Sequence, residues 1–157
     1  MFKVVSMLWQ PDDFAYFQRR PIFRSMSTFS RNERLKSRKL ISRIFKEGQS
    51  YVAYPLRVVW LPVDAEGQQA TGFEGTPAQL AISVPKRSFK TAVARNLLKR
   101  RIREAYRLNK NAWYEKLDAD NLHLALMLVY VAKEELPYAE IENGIKKMVK
   151  KFPGQST

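Results

Sequence analysis

The fold is decided by residues 83–110, which read SVPKRSFKTAVARNLLKRRIREAYRLNK. The spacing predicts a long helix from Val93 to about Lys110. At about 100° per residue, one face of this helix collects small and apolar side chains, with one amide at its end: Ala94, Leu98, Ile102, Ala105 and Asn109. The opposite face carries Asn96, Lys99, Arg100, Arg103, Arg107 and Lys110. The helix can therefore pack on a sheet and present a cationic face.

Positive charge is concentrated around this helix. The 157-residue chain has a formal net charge of +13, and residues 85–110 hold ten basic side chains against one acidic one, Glu104. A solvated surface helix normally mixes signs and gains about a few tenths of a kcal/mol from each i,i+4 ion pair. Lys86, Arg87 and Lys90 lead into the helix N-terminus, where backbone N–H groups and the helix dipole favour a phosphate. This unmixed charge predicts a nucleic-acid-binding surface.

The flanking sequence predicts a single α+β domain, an α/β sandwich with a mixed sheet of about four strands and three helices. Ser37 is a candidate cap for a first helix that ends at Gly48. Two strands, 51–62 and 79–84, are expected to form a hairpin. Residues 111–121 are expected to be a helix tail followed by a turn, residues 122–131 a central strand, and Pro137 the start of the last helix.

The length favours one domain, which we place at residues 28–152. Residues 1–27 have no clear period and are expected to be a disordered extension, with Met26 as an alternative start, and residues 153–157 to be a tail. The chain has no cysteine, which removes disulfides and thiolate metal sites. No apolar run approaches the roughly 20 residues of a membrane span.

The central motif resembles the Arg-Asn-Arg motif of the bacterial ribonuclease P protein component, written roughly as AVxRNRxKRxxREAFR after a strand ending SVxKK. The resemblance covers about residues 28–152 and extends to RLK at 34–36 and IFKEG at 44–48. It implies an α/β sandwich with a left-handed βαβ crossover. The positions implied to face RNA are Lys86, Arg87, Lys90, Arg95, Asn96, Lys99, Arg100, Arg103 and Arg107. Leu97 departs from the family's second Arg, and Arg101 is the candidate to replace part of that charge.

The resemblance also implies a cleft between the first helix and the sheet that holds the single-stranded leader of precursor tRNA. Aromatic side chains in such a cleft can stack on bases without reading sequence. The candidate residues are Ile41, Phe45, Val59 and Trp60. Alternation along the strand leaves open whether Val59 or Trp60 faces the cleft. For Ile41 and Phe45, packing in the core is the competing interpretation.

No residue pattern predicts a catalytic or metal site in the protein. His123 is the single histidine, which excludes a nuclease that uses a His pair. Asp118 and Asp120 are better explained as part of a polar turn than as Mg²⁺ ligands. The resemblance implies instead that the RNA subunit, with Mg²⁺, hydrolyses the phosphodiester bond. The protein would then be a cytoplasmic cofactor whose partners are the ribonuclease P RNA and precursor tRNA.

Three alternative functions explain the sequence less well. A ribosomal or assembly protein that binds structured RNA explains the charge but not the order of the motifs. Binding to a membrane surface is disfavoured because the buried face of residues 93–110 lacks Trp and Phe. DNA binding is disfavoured because no helix-turn-helix pair is recognisable.

Overall fold

The computed structural model describes residues 28–64, 67, 73 and 75–152, so the expectations for residues 1–27 and 153–157 lie outside the described residues. The described elements begin with a short 3-10 turn, Arg31–Glu33. The helices are α1 (Arg38–Glu47), α2 (Ala92–Ala119) and α3 (Tyr138–Lys151), and the strands are β1 (Gln49–Ala53), β2 (Leu56–Pro62), β3 (Ala78–Ser83) and β4 (Leu124–Tyr130). Among the described residues, these three helices and the four-stranded mixed sheet confirm the predicted fold class.

The sheet has the order β1-β2-β4-β3. The predicted strand 51–62 is divided at the cis peptide Tyr54-Pro55, and its two halves form an antiparallel hairpin. The prediction that 79–84 pairs with this strand is wrong, because β3 runs parallel to β4 instead. The reason lies in β4, which is buried almost throughout and needs a partner on each side to satisfy its backbone groups. Leu126 accordingly lies between Trp60 of β2 and Leu80 of β3.

A βαβ unit results, in which α2 connects the neighbouring parallel strands β3 and β4. Parallel neighbours require such a crossover connection. The left hand of this crossover stays a prediction from the resemblance. Because α2 connects these two strands, it lies on the sheet with one face packed on the core and the other face exposed.

The sheet separates two apolar layers. On one face, α2 and α3 cover β-strand residues that include Val58, Leu126 and Leu128. The apolar side chains of α3 that are buried there are Ile141, Ile145 and Met148. On the other face, Leu40 and Ile44 of α1 pack on residues such as Val59, Leu61 and Met127. Each layer removes mainly aliphatic and aromatic surface from water, which is the principal source of stability for such a domain.

Side chains cap the N-termini of α1 and α2, and the first of these caps, Ser37, was predicted. Ser37 Oγ accepts a hydrogen bond from Leu40 N at 3.3 Å, and Thr91 Oγ1 accepts one from Ala94 N at 3.3 Å. Such caps satisfy N–H groups that have no partner within the helix. The predicted helix tail after Lys110 extends to Ala119, because Trp113 and Leu117 continue the buried face.

Candidate nucleic-acid interface

The outer surface of α2 carries the candidate RNA-binding side chains. Asn96 and Arg100 are exposed, and Lys99 and Arg103 are half-buried on the side toward β3. We call these four residues the cationic face. Within the described part of the chain, none of the three cations in it forms an ion pair or donates a side-chain hydrogen bond. Their charge therefore has no counter-ion among the described residues, which leaves it available to an external anion.

Arg95 has a different structural role from its neighbours. Its Nη1 donates to the carbonyl oxygens of Phe89 and Lys90, each at 2.7 Å. The guanidinium therefore fixes the loop that precedes α2, which carries the exposed side chains of Lys86, Arg87 and Lys90. The sequence motif gave no sign of this role, because the carbonyl groups that Arg95 meets belong to a turn whose path depends on the fold.

Two further arginines of α2 are engaged by the protein itself. Arg101 Nη1 donates to the carbonyl of Leu136 at 2.8 Å, so Arg101 ties α2 to the segment before α3 and does not replace a cation at Leu97. Arg107 Nε donates to Glu104 Oε2 at 2.9 Å. This hydrogen bond lowers the pKa of Glu104 and raises the pKa of Arg107. Arg107 thus brings less net charge to an RNA than its position suggests.

Lys110 does not belong to the cationic face, and its predicted placement there is wrong. Its side chain is buried, with the residue 6% exposed, and forms an ion pair with the buried carboxylate of Glu33. Lys110 Nζ also donates to the carbonyl of Thr28 at 2.6 Å and lies 5.3 Å from the centre of the Tyr114 ring. A buried cation needs a partner of this kind, because desolvation is otherwise costly. The pair attaches the segment before α1 to the middle of α2.

Aromatic contacts also hold the segment before α1 against α2. Phe29 meets the edge of Tyr106 at a centroid distance of 5.9 Å, and the Tyr106 and Tyr114 hydroxyls are 2.9 Å apart. Burial raises the pKa of both phenols, so they stay protonated and keep this hydrogen bond. These contacts and the Lys110 ion pair hold the segment before α1 against α2.

The predicted leader cleft is only partly assembled from the predicted residues. Phe45 projects from α1 and is 64% exposed, and Ile41 lies one turn before it, half-buried beside the sheet. Val59 is buried under α1 and belongs to the core. The prediction that Trp60 lines the cleft is wrong. Its side chain lies on the opposite face of the sheet, where its ring centroid is 4.7 Å from that of Phe152. Because successive side chains of a strand point to opposite faces of the sheet, only one of Val59 and Trp60 can face α1.

The sheet contributes other residues to this cleft. Ala81 of β3 and Val129 of β4 are partly buried and pack against the same layer as Ile41. Their strand positions have the same parity as Met127, which faces α1. The alternation of side chains along β3 is present in the sequence. Which of its two faces lies toward α1 depends on the pairing of β3 with β4.

Side chains suited to chemistry or to metal binding are sparse. In residues 28–64, 67, 73 and 75–152, no group of three His, Cys, Asp or Glu side chains comes together to hold a metal ion. Asp118 and Asp120 are exposed at the end of α2, and His123 packs against Phe73 at a centroid distance of 6.3 Å. No helix in the described ranges is long and apolar enough to span a membrane.

A cationic helix face of this kind, on one side of a mixed sheet, is typical of nucleic-acid-binding domains. The family model described as Ribonuclease P matches residues 29–153. The chain belongs to the ribonuclease P protein family, as the sequence motif predicted. It is 33% identical to the ribonuclease P protein component of Porphyromonas gingivalis strain ATCC 33277 over 132 residues, which are 83% of this chain and 91% of that protein. The Petrotoga mobilis protein of the same name is 28% identical over 80% of this chain and 95% of its own length.

Solved structures share the fold. The RNase P protein of Thermotoga maritima aligns with a TM-score of 0.58 at 23% identity, over 78% of this chain and 99% of that one. The RNase P protein of Staphylococcus aureus aligns with a TM-score of 0.56 at 24% identity, over 77% of this chain and 95% of that one. At these identities the likeness concerns the arrangement of helices and strands alone.

Proposed function

We propose that this chain is the protein subunit of a ribonuclease P, which binds the catalytic RNA through α2 and promotes removal of the 5′ leader from precursor tRNA. The observation that carries the proposal is the cationic face on a member of this family. Lys99, Arg100 and Arg103 project from one helix with no protein counter-ion among the described residues, which suits the phosphates of a folded RNA. Lys86, Arg87 and Lys90 extend the same charge to the helix N-terminus.

The proposed division of labour leaves the chemistry to the RNA. The RNA subunit holds Mg²⁺ and hydrolyses the phosphodiester bond, and the protein neutralises phosphate charge so that the active RNA fold forms at lower Mg²⁺. In this assignment the protein has no catalytic residue and binds no metal by itself. It acts in the cytoplasm, where precursor tRNA is processed in bacteria. The second candidate, a ribosomal or assembly protein, accounts for the charge of α2 but not for the family match over residues 29–153.

We assign leader binding to the cleft between α1 and the sheet. Phe45 offers an exposed ring at its rim, while Ile41, Ala81 and Val129 form an apolar floor. A base that stacks on Phe45 gains contact whatever its identity, because every base has a π-face. A leader of variable sequence can therefore be held without base-specific hydrogen bonds.

Replacing Phe45 with alanine is expected to weaken binding of precursor tRNA to the holoenzyme by about tenfold and to leave binding of mature tRNA unchanged. The folded state should lose little stability, because the ring is mostly exposed. Equilibrium binding of both tRNAs to the reconstituted holoenzyme measures the difference. Phe45→Trp should restore affinity, and Tyr54→Ala, which removes an exposed aromatic side chain from the turn between β1 and β2, is the matched control. Equal losses for both tRNAs would contradict the assignment.

A further inference from the structure

A groove of about 430 Å³ lies between the exposed edge of β3, the inner side of the cationic face and the segment that precedes α1. Four cations line it, two from α2 (Lys99 and Arg103) and two from the preceding segment (Arg34 and Lys36). No acidic side chain is among its described lining residues. The groove therefore attracts an anion from two independent elements of the fold.

The floor of the groove contains backbone groups that are open to a ligand. In a strand, successive residues direct their N–H and C=O groups to alternate sides. Pro77 O accepts from Leu124 N of β4 and Leu80 O accepts from Leu35 N, so even-numbered residues of β3 face away from β4. Ile82 is the next even-numbered residue. By this alternation its N–H and C=O point away from β4, beyond the contact of β3 with residues 34 and 35, because the chain turns away into α1 after Lys36.

The groove also contains a planar group, the guanidinium of Arg34. The Arg34 guanidinium lies over the Phe29 ring at 5.8 Å from its centre. A guanidinium held against an aromatic ring has little freedom, and its outer side is a surface on which a base can stack. The groove thus combines cations, one donor and acceptor pair on a rigid strand, and a stacking plane. A volume of this size falls within the range of pockets that bind small molecules.

We propose that this groove binds one unstacked ribonucleotide, whose flanking phosphates meet the four cations and whose base edge meets the N–H and C=O of Ile82. The inference rests on the proposed function, which supplies the RNA. A regular duplex is excluded as the occupant because its base edges are paired and stacked, whereas an unpaired nucleotide can present both its face and its edge. The nucleotide comes either from an unpaired position of the catalytic RNA or from the precursor leader, which share this chemistry.

Crosslinking identifies the occupant. The chain has no cysteine, so the variant Lys36→Cys carries a single attachment point for an aryl azide. The labelled protein is assembled with ribonuclease P RNA and precursor tRNA, and Ser50→Cys on β1, at the far edge of the sheet, is the control position. We expect a crosslink from Lys36→Cys to one unpaired nucleotide, and its place in the catalytic RNA or in the leader distinguishes the two sources. Crosslinks only to paired nucleotides, to the protein's own residues 1–27, or none at all overturn the proposal.

Removal of the base tests insertion directly. An abasic residue at the crosslinked position should weaken binding of the wild-type protein by about tenfold. The same change should have little effect on the double variant Arg34→Ala/Lys36→Ala, in which the groove has lost two cations. An abasic RNA that binds wild type normally overturns the proposal. If unlabelled wild-type protein neither binds the RNA nor stimulates cleavage, the proposed function fails and this inference fails with it. Normal stimulation with a failed crosslink rejects the groove alone.

Discussion

Replacing Arg100 and Arg103 together with alanine is expected to weaken binding to ribonuclease P RNA by about 100-fold. Each arginine can make a charge-assisted contact to phosphate worth roughly 1.5–3 kcal/mol, and neither is tied to a protein acceptor within the described residues. The slope of log K against log salt should become shallower by about 1.8, because about 0.9 is lost for each duplex phosphate contact. Filter binding over a series of salt concentrations measures both quantities.

The matched control for this variant is Lys147→Ala/Lys150→Ala. These two lysines are exposed on α3, and their removal changes net charge by the same amount. If net charge alone drives association, both double variants lose affinity equally and their salt slopes change together. An unchanged slope for Arg100→Ala/Arg103→Ala would remove the cationic face from the interface. Arg95 is unsuitable for this test, because its replacement also releases the loop that it holds.

Replacing Glu33 with alanine is expected to lower the free energy of unfolding by about 3–5 kcal/mol. The substitution leaves the Lys110 ammonium buried without its carboxylate partner, and such a charge costs more than the original pair contributed. Segment 28–35 should detach from α2 as a result, because the ion pair and the neighbouring hydrogen bond from Lys110 to Thr28 join them. Urea unfolding followed by circular dichroism measures the loss.

A second variant distinguishes an unpaired charge from lost packing. In Glu33→Leu/Lys110→Met both charges are replaced by apolar side chains of similar length, and most of the stability should return. Arg43→Ala is the surface control, since its ion pair with Glu47 is exposed and is expected to contribute less than about 1 kcal/mol. A Glu33→Ala protein as stable as the wild type would show that Lys110 finds another partner.

Local features of the fold followed from the sequence, and pairing between distant segments did not. The predicted cap Ser37 lies beside the helix that it stabilises, and the apolar spacing of α2 is set by residues three and four apart. The partner of β3 was misjudged because strands close in sequence usually pair, whereas β4 takes its partners from both sides of the sheet. This one error concealed that Ala81 of β3 lies on the face of the sheet that α1 covers.

The sequence predicted a charged face on α2, but it did not predict the role of each basic side chain in this helix. Helical spacing places Arg100 and Lys110 on one side of an ideal helix, yet Lys110 is buried because Glu33, 77 positions earlier, supplies the opposite charge. Arg95 and Arg101 likewise bond to carbonyl groups of loops, which no periodicity reveals. The structure therefore divides one basic sequence motif into side chains that hold the fold and side chains that remain available to RNA.

The measurement that tests the central claim most directly is cleavage of precursor tRNA by a bacterial ribonuclease P RNA at low Mg²⁺, with and without this protein. The proposed function predicts cleavage at the mature 5′ end that is strongly stimulated by wild-type protein, and by the Lys147→Ala/Lys150→Ala control. Stimulation should be lost at the same concentration of Arg100→Ala/Arg103→Ala. No stimulation by wild-type protein under conditions in which it remains folded would contradict the assignment to ribonuclease P.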